Sequence, residues 1–592
     1  MRLRHVVAFS IVLAGGVTAA PQDAGPVPVT DAVLEQPDPS DWLTWRRTPD
    51  GWGYSPLDRV NRGNVASLQR VWSKEMAPGV QEATPLVRGG VMYLPNPNDI
   101  IQAFDAATGD PIWEYRRQLP EDLRDFVRFP EINRNLAIYG NLIIDTSGDD
   151  FVFALDAASG ALVWENRILD YRLNPAQQSG GPIIADGKII SGRSCPSEAG
   201  PEACVVTAHD ARTGREVWRT STIPRPGEPG GDSWGGVPYE RRWHVGTWMA
   251  PSYDPALGLI YMGTSVTSPA PKYMLGSNDR QYLYHNATLA LDVDTGRIVW
   301  YYQHVVDHWD LDHPFERLLV DTAVAPDPSD VSWINPAIRP GETRKVVTGI
   351  PGKTGIVYTL DRETGEFLWA RPTVRQTVVR EIDGRTGAVT VNPEMLFTAP
   401  GQQRFVCPSA GAGGKNWPAG AYSPLTRAMY FPLQNTCMNV TSLSTEPVFG
   451  FLDAEDGQRQ ESRYGIRTDA VITPGTDDIG AIYAIAVETG QTVWTYEQAA
   501  GMTSMATGGG LLFAGDASGR FRAFDQDNGR VLWDTDLGSA VTGFPIAYAV
   551  GGRQYVAVST GSSLVTGGLR RLAGERDSDP ENRIVVFALP AE

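Results

Sequence analysis

The segment 303–316, QHVVDHWDLDHPFE, gathers the residue types that do chemistry. Asp310 and Asp312 stand two apart, beside Trp309 and between His308 and His313. In an extended chain alternate side chains point the same way, so both carboxylates can face one site. Two hard oxygen donors at one point suit Ca²⁺ or a similar cation. The alternative is a polar loop between repeats. Other signatures are missing: the seven histidines never take a zinc spacing, and no Ser nucleophile elbow is expected. No G-x-G-x-x-G follows a strand and opens a helix, which leaves no place for a nicotinamide-binding domain. No C-x-x-C-H occurs, so no covalently attached haem is expected.

The elements that must position these residues repeat. Seven times a small residue is followed six positions later by Gly and four positions after that by Trp: Ala103–Trp113, Ala154–Trp164, Ala208–Trp218, Ala290–Trp300, Thr359–Trp369, Ala484–Trp494 and Ala523–Trp533. Each copy reads as strand, Asp-x-x-Thr-Gly turn, strand, because Asp or Asn and Gly supply the positive φ and side-chain hydrogen bonds of a tight hairpin. The starts lie 51, 54, 82, 69, 125 and 39 residues apart. Propeller blades repeat at about 40–50 residues. The 125-residue interval is therefore expected to hide a blade without a motif, built from YSPLTRAMYFPLQ (422–434). The C-terminal RIVVFALP (583–590) is expected to complete a blade with the N-terminal segment and close the ring. The fold class is all-β, an eight-bladed β-propeller forming one domain.

The N-terminus has a basic start, a short apolar run and small residues at Val17-Thr18-Ala19-Ala20. That is the layout of a secretory signal peptide (1–20), and the run is too short to span a membrane. Export places the four cysteines in an oxidising compartment. Local pairs Cys195–Cys204 and Cys407–Cys437 are the natural pairing, although four cysteines allow other connectivities. The net charge of −18 excludes nucleic acid and anionic membranes as partners, since both need clustered Lys and Arg.

With the repeats and the Trp309-Asp310 pair in view, the mature chain (21–592) resembles the quinoprotein alcohol dehydrogenases. These are eight-bladed propellers that hold pyrroloquinoline quinone (PQQ) and a metal on the central axis, and the seven repeats look like their tryptophan-docking motifs. The resemblance makes Asp310 the catalytic base and a metal ligand. Asp312 matches an extra Asp of lanthanide-using members, a pattern that calcium- or magnesium-using relatives also show. Trp248, five residues before Tyr253-Asp254-Pro255, matches the Trp that stacks on the quinone. Glu82, Arg134, Ser179, Lys353, Asn416 and Trp417 match its other cofactor-contacting residues.

Three departures stand out. The loop GRSCPSEAGPEAC differs from the family's metal-binding stretch; Glu198 fits the ligand position best, with Glu202 the alternative. The metal-binding Asn is absent from GTSVTSPAP (263–271), which leaves Thr267, Ser268 or a backbone carbonyl, with Asp312 to compensate. The adjacent Cys-Cys disulfide over the quinone is replaced by RFPEINR (128–134), so the second face is covered by something bulkier or left more open. The resemblance implies oxidation of an alcohol to a carbonyl in the periplasm, with PQQ and Ca²⁺ or a lanthanide, and electrons passed to a separate cytochrome c. A non-catalytic propeller scaffold and a PQQ-dependent aldose dehydrogenase are the competing readings. The sequence variants point to the branch acting on bulky secondary alcohols and polymers, such as polyvinyl alcohol or a trichothecene like deoxynivalenol.

Overall fold

The structure, a computed structural model, describes residues 28–443, 464–574 and 580–591. The expected signal peptide lies outside the described residues. Among them the chain is all-β and forms eight sheets of four or five strands, plus a two-stranded and a three-stranded sheet.

Every motif copy is a hairpin with the same internal logic. The small residue sits directly across the ladder from its Trp: Ala103 opposite Trp113, Ala154 opposite Trp164, and so on to Ala523 opposite Trp533. In the first copy the Asp105 carboxylate accepts the N–H groups of Ala107 and Thr108, both at 2.9 Å. Gly109 closes the turn at φ +75°. The spacing thus fixes a bulky indole against a residue that leaves it room, on the last strand of the hairpin.

Six of the seven indoles then lean on the turn glycine of the next sheet, and Trp533 is the exception. A Cβ on Gly160 would lie 2.6 Å from the Trp113 ring, and one on Gly529 equally close to Trp494. Trp113 donates its indole N–H to the Ala157 carbonyl at 3.0 Å, and Trp218 to that of Val293 at 2.9 Å. Trp533, from the last copy, donates to Leu68 at 3.0 Å. Leu68 immediately precedes Gln69–Glu75, the strand in which the chain's two ends meet, pairing with Arg583–Ala588. From that strand Trp72 donates to Ala106 at 3.2 Å and packs over Gly109.

The expectation for the long interval needs correction. Ala421–Ser423 and Ala428–Gln434 are not a separate blade; they share one sheet with Gly480–Ala486 and Thr492–Gln498, the strands of the sixth motif, Ala428–Gln434 pairing with Gly480–Ala486. The remainder of the interval forms Val379–Ile382 with Val389–Val391, and Gln403–Val406 with Thr436–Ser442 and Ile466–Ile472. The large sheet without a motif is instead the one that joins the chain's ends. Alternating apolar residues specify strands but not their partners. Both local disulfides form, Cys195–Cys204 and Cys407–Cys437.

Beneath the site the structure is tightly packed. Trp417 meets Phe544 at a tilt and Phe544 meets Trp45 edge to face, with ring centroids 5.7 Å apart at each step. Beside them Lys415 and Glu316, both fully buried, pair at 2.6 Å.

Candidate active site

The irregular segments between sheets converge on a cavity of about 360 Å³. Asp310, Asp312, Lys353, Arg134, Ser179 and Trp248, spread over more than 200 residues of sequence, all line it. The Lys353 ammonium lies 3.0 Å from Asp312 and 3.6 Å from Asp310. Burial pushes the Asp310 carboxyl well above the usual range; Lys353 opposes this, while Asp312 and Asp307 add to it. Burial pushes Asp312 the same way, but Lys353, His244 and the Val266 N–H together outweigh it and hold Asp312 below the usual range. The two carboxylates differ in their partners: Asp312 pairs with Lys353 and accepts a 2.9 Å bond from Val266, while Asp310 is the more exposed to the cavity. Against the burial that disfavours its charge, Lys353 is raised by Asp310 and Asp312 and stays protonated.

Local backbone positions Asp310. It adopts φ +67°, and the neighbouring N–H groups of Trp309 and Leu311 both donate to the Asp307 carboxylate, at 2.8 and 2.7 Å.

The other wall is aromatic and cationic. The Arg134 guanidinium lies 5.4 Å from the Trp248 ring and 5.6 Å from Trp417. It pairs with the fully buried Glu82 and donates to the Ser179 carbonyl at 3.2 Å. Burial raises the Glu82 carboxyl despite Arg134 and the Leu564 N–H that bonds it at 3.0 Å. Glu82 acts from behind the wall, as do Asn416 and Trp417. The Asn416 amide donates to the lining residue Gly411 at 2.7 Å.

The remaining metal candidates separate. Glu198 is close enough to Tyr464, a lining residue, to influence its titration together with Asp310 and Asp312. Glu202 points to solvent and pairs with Arg225 at 2.6 Å. Thr267 is fully buried off the cavity; its hydroxyl donates to the Trp243 carbonyl at 2.6 Å and its carbonyl accepts from Lys272 at 3.3 Å. Lys272 also donates to Ala270 at 2.7 Å and Pro269 at 3.2 Å, pinning the turn where the metal-binding Asn was missed. Burial lowers this ammonium to about 7. Among the described residues no group of three or more His, Cys, Asp or Glu is gathered as a metal cage.

Sequence reasoning missed several lining residues: Arg128, Phe129, His244 and Tyr464. Phe129 and Arg128 stand in the segment where the Cys pair is absent, with the guanidinium 4.6 Å from the ring. His244 lies four residues before Trp248 and its ring centroid is 5.1 Å from that of Tyr464. The string Gly231-Asp232-Ser233-Trp234-Gly235 does carry G-x-S-x-G spacing. It lies on a 3₁₀ turn, however, where the Ser233 hydroxyl donates to Gly230 at 2.6 Å and accepts from Leu283 at 2.9 Å. That leaves no nucleophile elbow.

A planar anionic cofactor fits this donor set. Trp248 offers a flat apolar face, Arg134 and Lys353 offer positive charge, and the buried Arg134 Nε has no partner among the described residues. An all-β repeat scaffold that presents such a cavity through its irregular segments can house a cofactor-dependent enzyme. Residues 42–387 and 483–556 match the PQQ family model described as glucose/ethanol/alcohol dehydrogenase, β-propeller domain. The chain belongs to this family of PQQ-dependent alcohol dehydrogenases. The dehydrogenase subunit of a quinone alcohol dehydrogenase from Komagataeibacter europaeus is 30% identical over 98% of this chain and 79% of its own length. Quinohemoprotein alcohol dehydrogenase ADHIIG from Pseudomonas putida superposes with TM-score 0.83 at 27% identity, over 96% of this chain and 83% of its own. A europium-containing methanol dehydrogenase gives TM-score 0.81 at 25% identity, over 94% of this chain and 99% of its own.

Proposed function

We propose that the chain is an exported PQQ- and metal-dependent dehydrogenase that oxidises a bulky secondary alcohol to the carbonyl, with a trichothecene hydroxyl such as that of deoxynivalenol as the specific candidate. The convergence of Asp310, Lys353, Arg134, Ser179 and Trp248 on one cavity carries this reading. The eight large sheets are read as eight blades, supported by the indole contacts that run from Trp72 through the motif tryptophans and back from Trp533 to Leu68.

In this reading Asp310 takes the substrate hydroxyl proton at its Oδ. Burial supports the role by bringing a carboxylate's basicity nearer to neutral pH. Lys353 keeps positive charge beside the developing alkoxide, and Asp312 anchors Lys353. Trp248 presents its indole to the cofactor, with Arg134 and Ser179 at the cofactor's polar edge and Glu82, Asn416 and Trp417 fixing that wall. Bound PQQ supplies the two-electron acceptor. A metal would take Asp310 and Asp312, with Glu198 as the third carboxylate, as Ca²⁺ or a lanthanide; Glu202 and Thr267 are turned away. The absence of the Cys pair, in whose segment Arg128 and Phe129 line the cavity, is the ground for preferring bulky alcohols. Periplasmic cytochrome c as electron acceptor is supported by the net charge of −18, which favours a basic partner.

The test is reconstitution. Apo-protein mixed with PQQ and either Ca²⁺ or La³⁺ should reduce an artificial dye with secondary and polycyclic alcohols, deoxynivalenol included. Dye reduction unaffected by Asp310→Ala would overturn the assignment. Reduction with glucose but not with alcohols would move the chain to the aldose dehydrogenases. Turnover with cytochrome c should fall as salt rises.

A further inference from the structure

The turn 264–272 is tied to three cavity-lining residues that come from distant parts of the chain. The Val266 N–H donates to the Asp312 carboxylate at 2.9 Å, and the Ala270 N–H to the Tyr464 carbonyl at 2.7 Å. The Ser268 hydroxyl meets the His244 Nδ1 at 3.1 Å, and the Ser265 hydroxyl donates to the His244 carbonyl at 3.2 Å. Asp312, Tyr464 and His244 all line the active-site cavity, whereas no residue of the turn does. The turn stands behind the wall and holds it.

The oxygens that the turn could offer to a metal are already engaged. The Thr267 hydroxyl is turned to the Trp243 carbonyl and the Ser268 hydroxyl to His244. The carbonyls of Thr267, Pro269 and Ala270 converge on the Lys272 ammonium, at 3.3, 3.2 and 2.7 Å. An ammonium has three donors, and here it meets three acceptors. Lys272 is fully buried, and no carboxylate of the described residues lies at ion-pair distance; Asp307 and Asp310 act on it from farther away. Burying a charge without a close counter-ion lowers stability. An apolar side chain of similar length would fill the space without that cost, so what the ammonium adds is the three bonds.

We propose that Lys272 is a positioning residue for the active site: its ammonium holds the 267–270 backbone in the shape that sets Val266, Ser268 and Ala270 against Asp312, His244 and Tyr464. The kinetic consequence rests on the alcohol oxidation read above; the shape of the turn can be measured without any substrate.

Lys272→Met removes the three donors and keeps the stem. Hydrogen exchange followed by mass spectrometry on the full apo-chain should show the amides of 264–272 exchanging about tenfold faster or more, while the strand Ala287–Asp292 keeps its protection. Losing the buried charge and leaving three carbonyls without a donor act in opposite directions, so the unfolding midpoint should move little. After reconstitution with PQQ and Ca²⁺ or La³⁺, KM for the alcohol should rise about tenfold while kcat stays within about threefold, because the wall loosens but the bonds around Asp310 remain. Ser268→Ala, which removes only the contact to His244, should raise KM several-fold at unchanged midpoint. Unchanged exchange in the turn, or unchanged KM in both variants, overturns the proposal. A fallen midpoint with faster exchange in every strand, or a Lys272→Met chain that does not fold, makes Lys272 a structural residue and overturns it equally. Wild-type protein that oxidises no alcohol defeats the functional reading instead, and the exchange rates then decide on Lys272 alone.

Discussion

Asp310 and Asp312 are chemically unlike, and replacing each by asparagine separates their roles. Asp310 is raised by burial and its side chain is 22% exposed, toward the cavity; Asp312 is depressed and 9% exposed, tied to Lys353 and Val266. A base must be reachable and must hold a proton well enough to take one, so Asp310 qualifies and Asp312 does not. Loss of a general base lowers kcat by about 10²–10⁴-fold, roughly 3–5 kcal/mol in the activation barrier. Asp310→Asn should therefore lose that much kcat while KM and the unfolding midpoint change little, because the amide retains an oxygen toward Lys353. Asp312→Asn removes an anchor, so KM for the alcohol and affinity for the cofactor should change more than kcat. Because Asp310 works ionised, the wild-type kcat/KM should rise with pH as that carboxyl loses its proton. Steady-state kinetics of both variants across pH, with dye reduction as readout, decides the matter. If Asp312→Asn lost more kcat than Asp310→Asn, or Asp310→Asn kept a tenth of wild-type kcat, the assignment of the base would be refuted.

Three further outcomes follow from the geometry. Gly160 and Gly401 have similar φ, +71° and +76°, but a Cβ on Gly160 meets the Trp113 ring at 2.6 Å while one on Gly401 meets nothing within 4 Å. Gly401→Ala should cost about 1 kcal/mol for the backbone alone, and Gly160→Ala about 1–3 kcal/mol more from overpacking; equal shifts in the urea midpoints would refute indole docking as the cause. Asp99 is buried, and burial lifts its carboxyl from 3.8 to about 7. Its folded pKa lies above the unfolded one, so between these values the native state keeps a proton that the unfolded chain has lost, and stability falls as pH rises, by up to about 4 kcal/mol. Asp99→Asn keeps the acceptor for Gly148 and should flatten the loss in melting temperature between pH 4 and pH 7. Asp307→Asn should lower kcat about tenfold or more and also lower the unfolding midpoint, because one amide cannot accept both the Trp309 and Leu311 N–H groups that fix Asp310; an unchanged kcat would dismiss Asp307 as a positioning residue.

The repeat was legible because each copy is local. A small residue, a turn and a Trp within eleven positions determine a hairpin whatever surrounds it. The eighth docking indole, Trp72, escaped this reading for a topological reason. Its partner strand is Arg583–Ala588, so the hairpin it belongs to is split between the chain's ends and no contiguous motif can record it. The same limit explains the misplaced blade. Residues 422–434 have the pattern of strands, but which strands they join depends on Gly480–Ala486, beyond a long interruption. At the site, Asp310, Trp248 and Lys353 carry local signatures. His244 and Tyr464 reach the cavity only through long-range packing, and Thr267 is buried off the cavity with its hydroxyl turned to the Trp243 carbonyl.

The cavity is also where local conformation departs from preference. Phe129, His244 and Asp310 all line it, and all three adopt left-handed φ, at +63°, +66° and +67°. Such a conformation costs a non-glycine residue about 1–2 kcal/mol, more readily tolerated by Asp and His than by Phe. Such positions persist where neighbouring bonds hold them, as at two of the three. For Asp310 those bonds come from Asp307; for His244 they include a 3.1 Å contact between its Nδ1 and the Ser268 hydroxyl. A regular hairpin cannot turn three unlike side chains toward one point, since its side chains alternate between two faces. The ordered repeats therefore supply rigidity, and the strained positions supply direction. Function needs both, because a strained residue on a soft scaffold would relax and lose its aim.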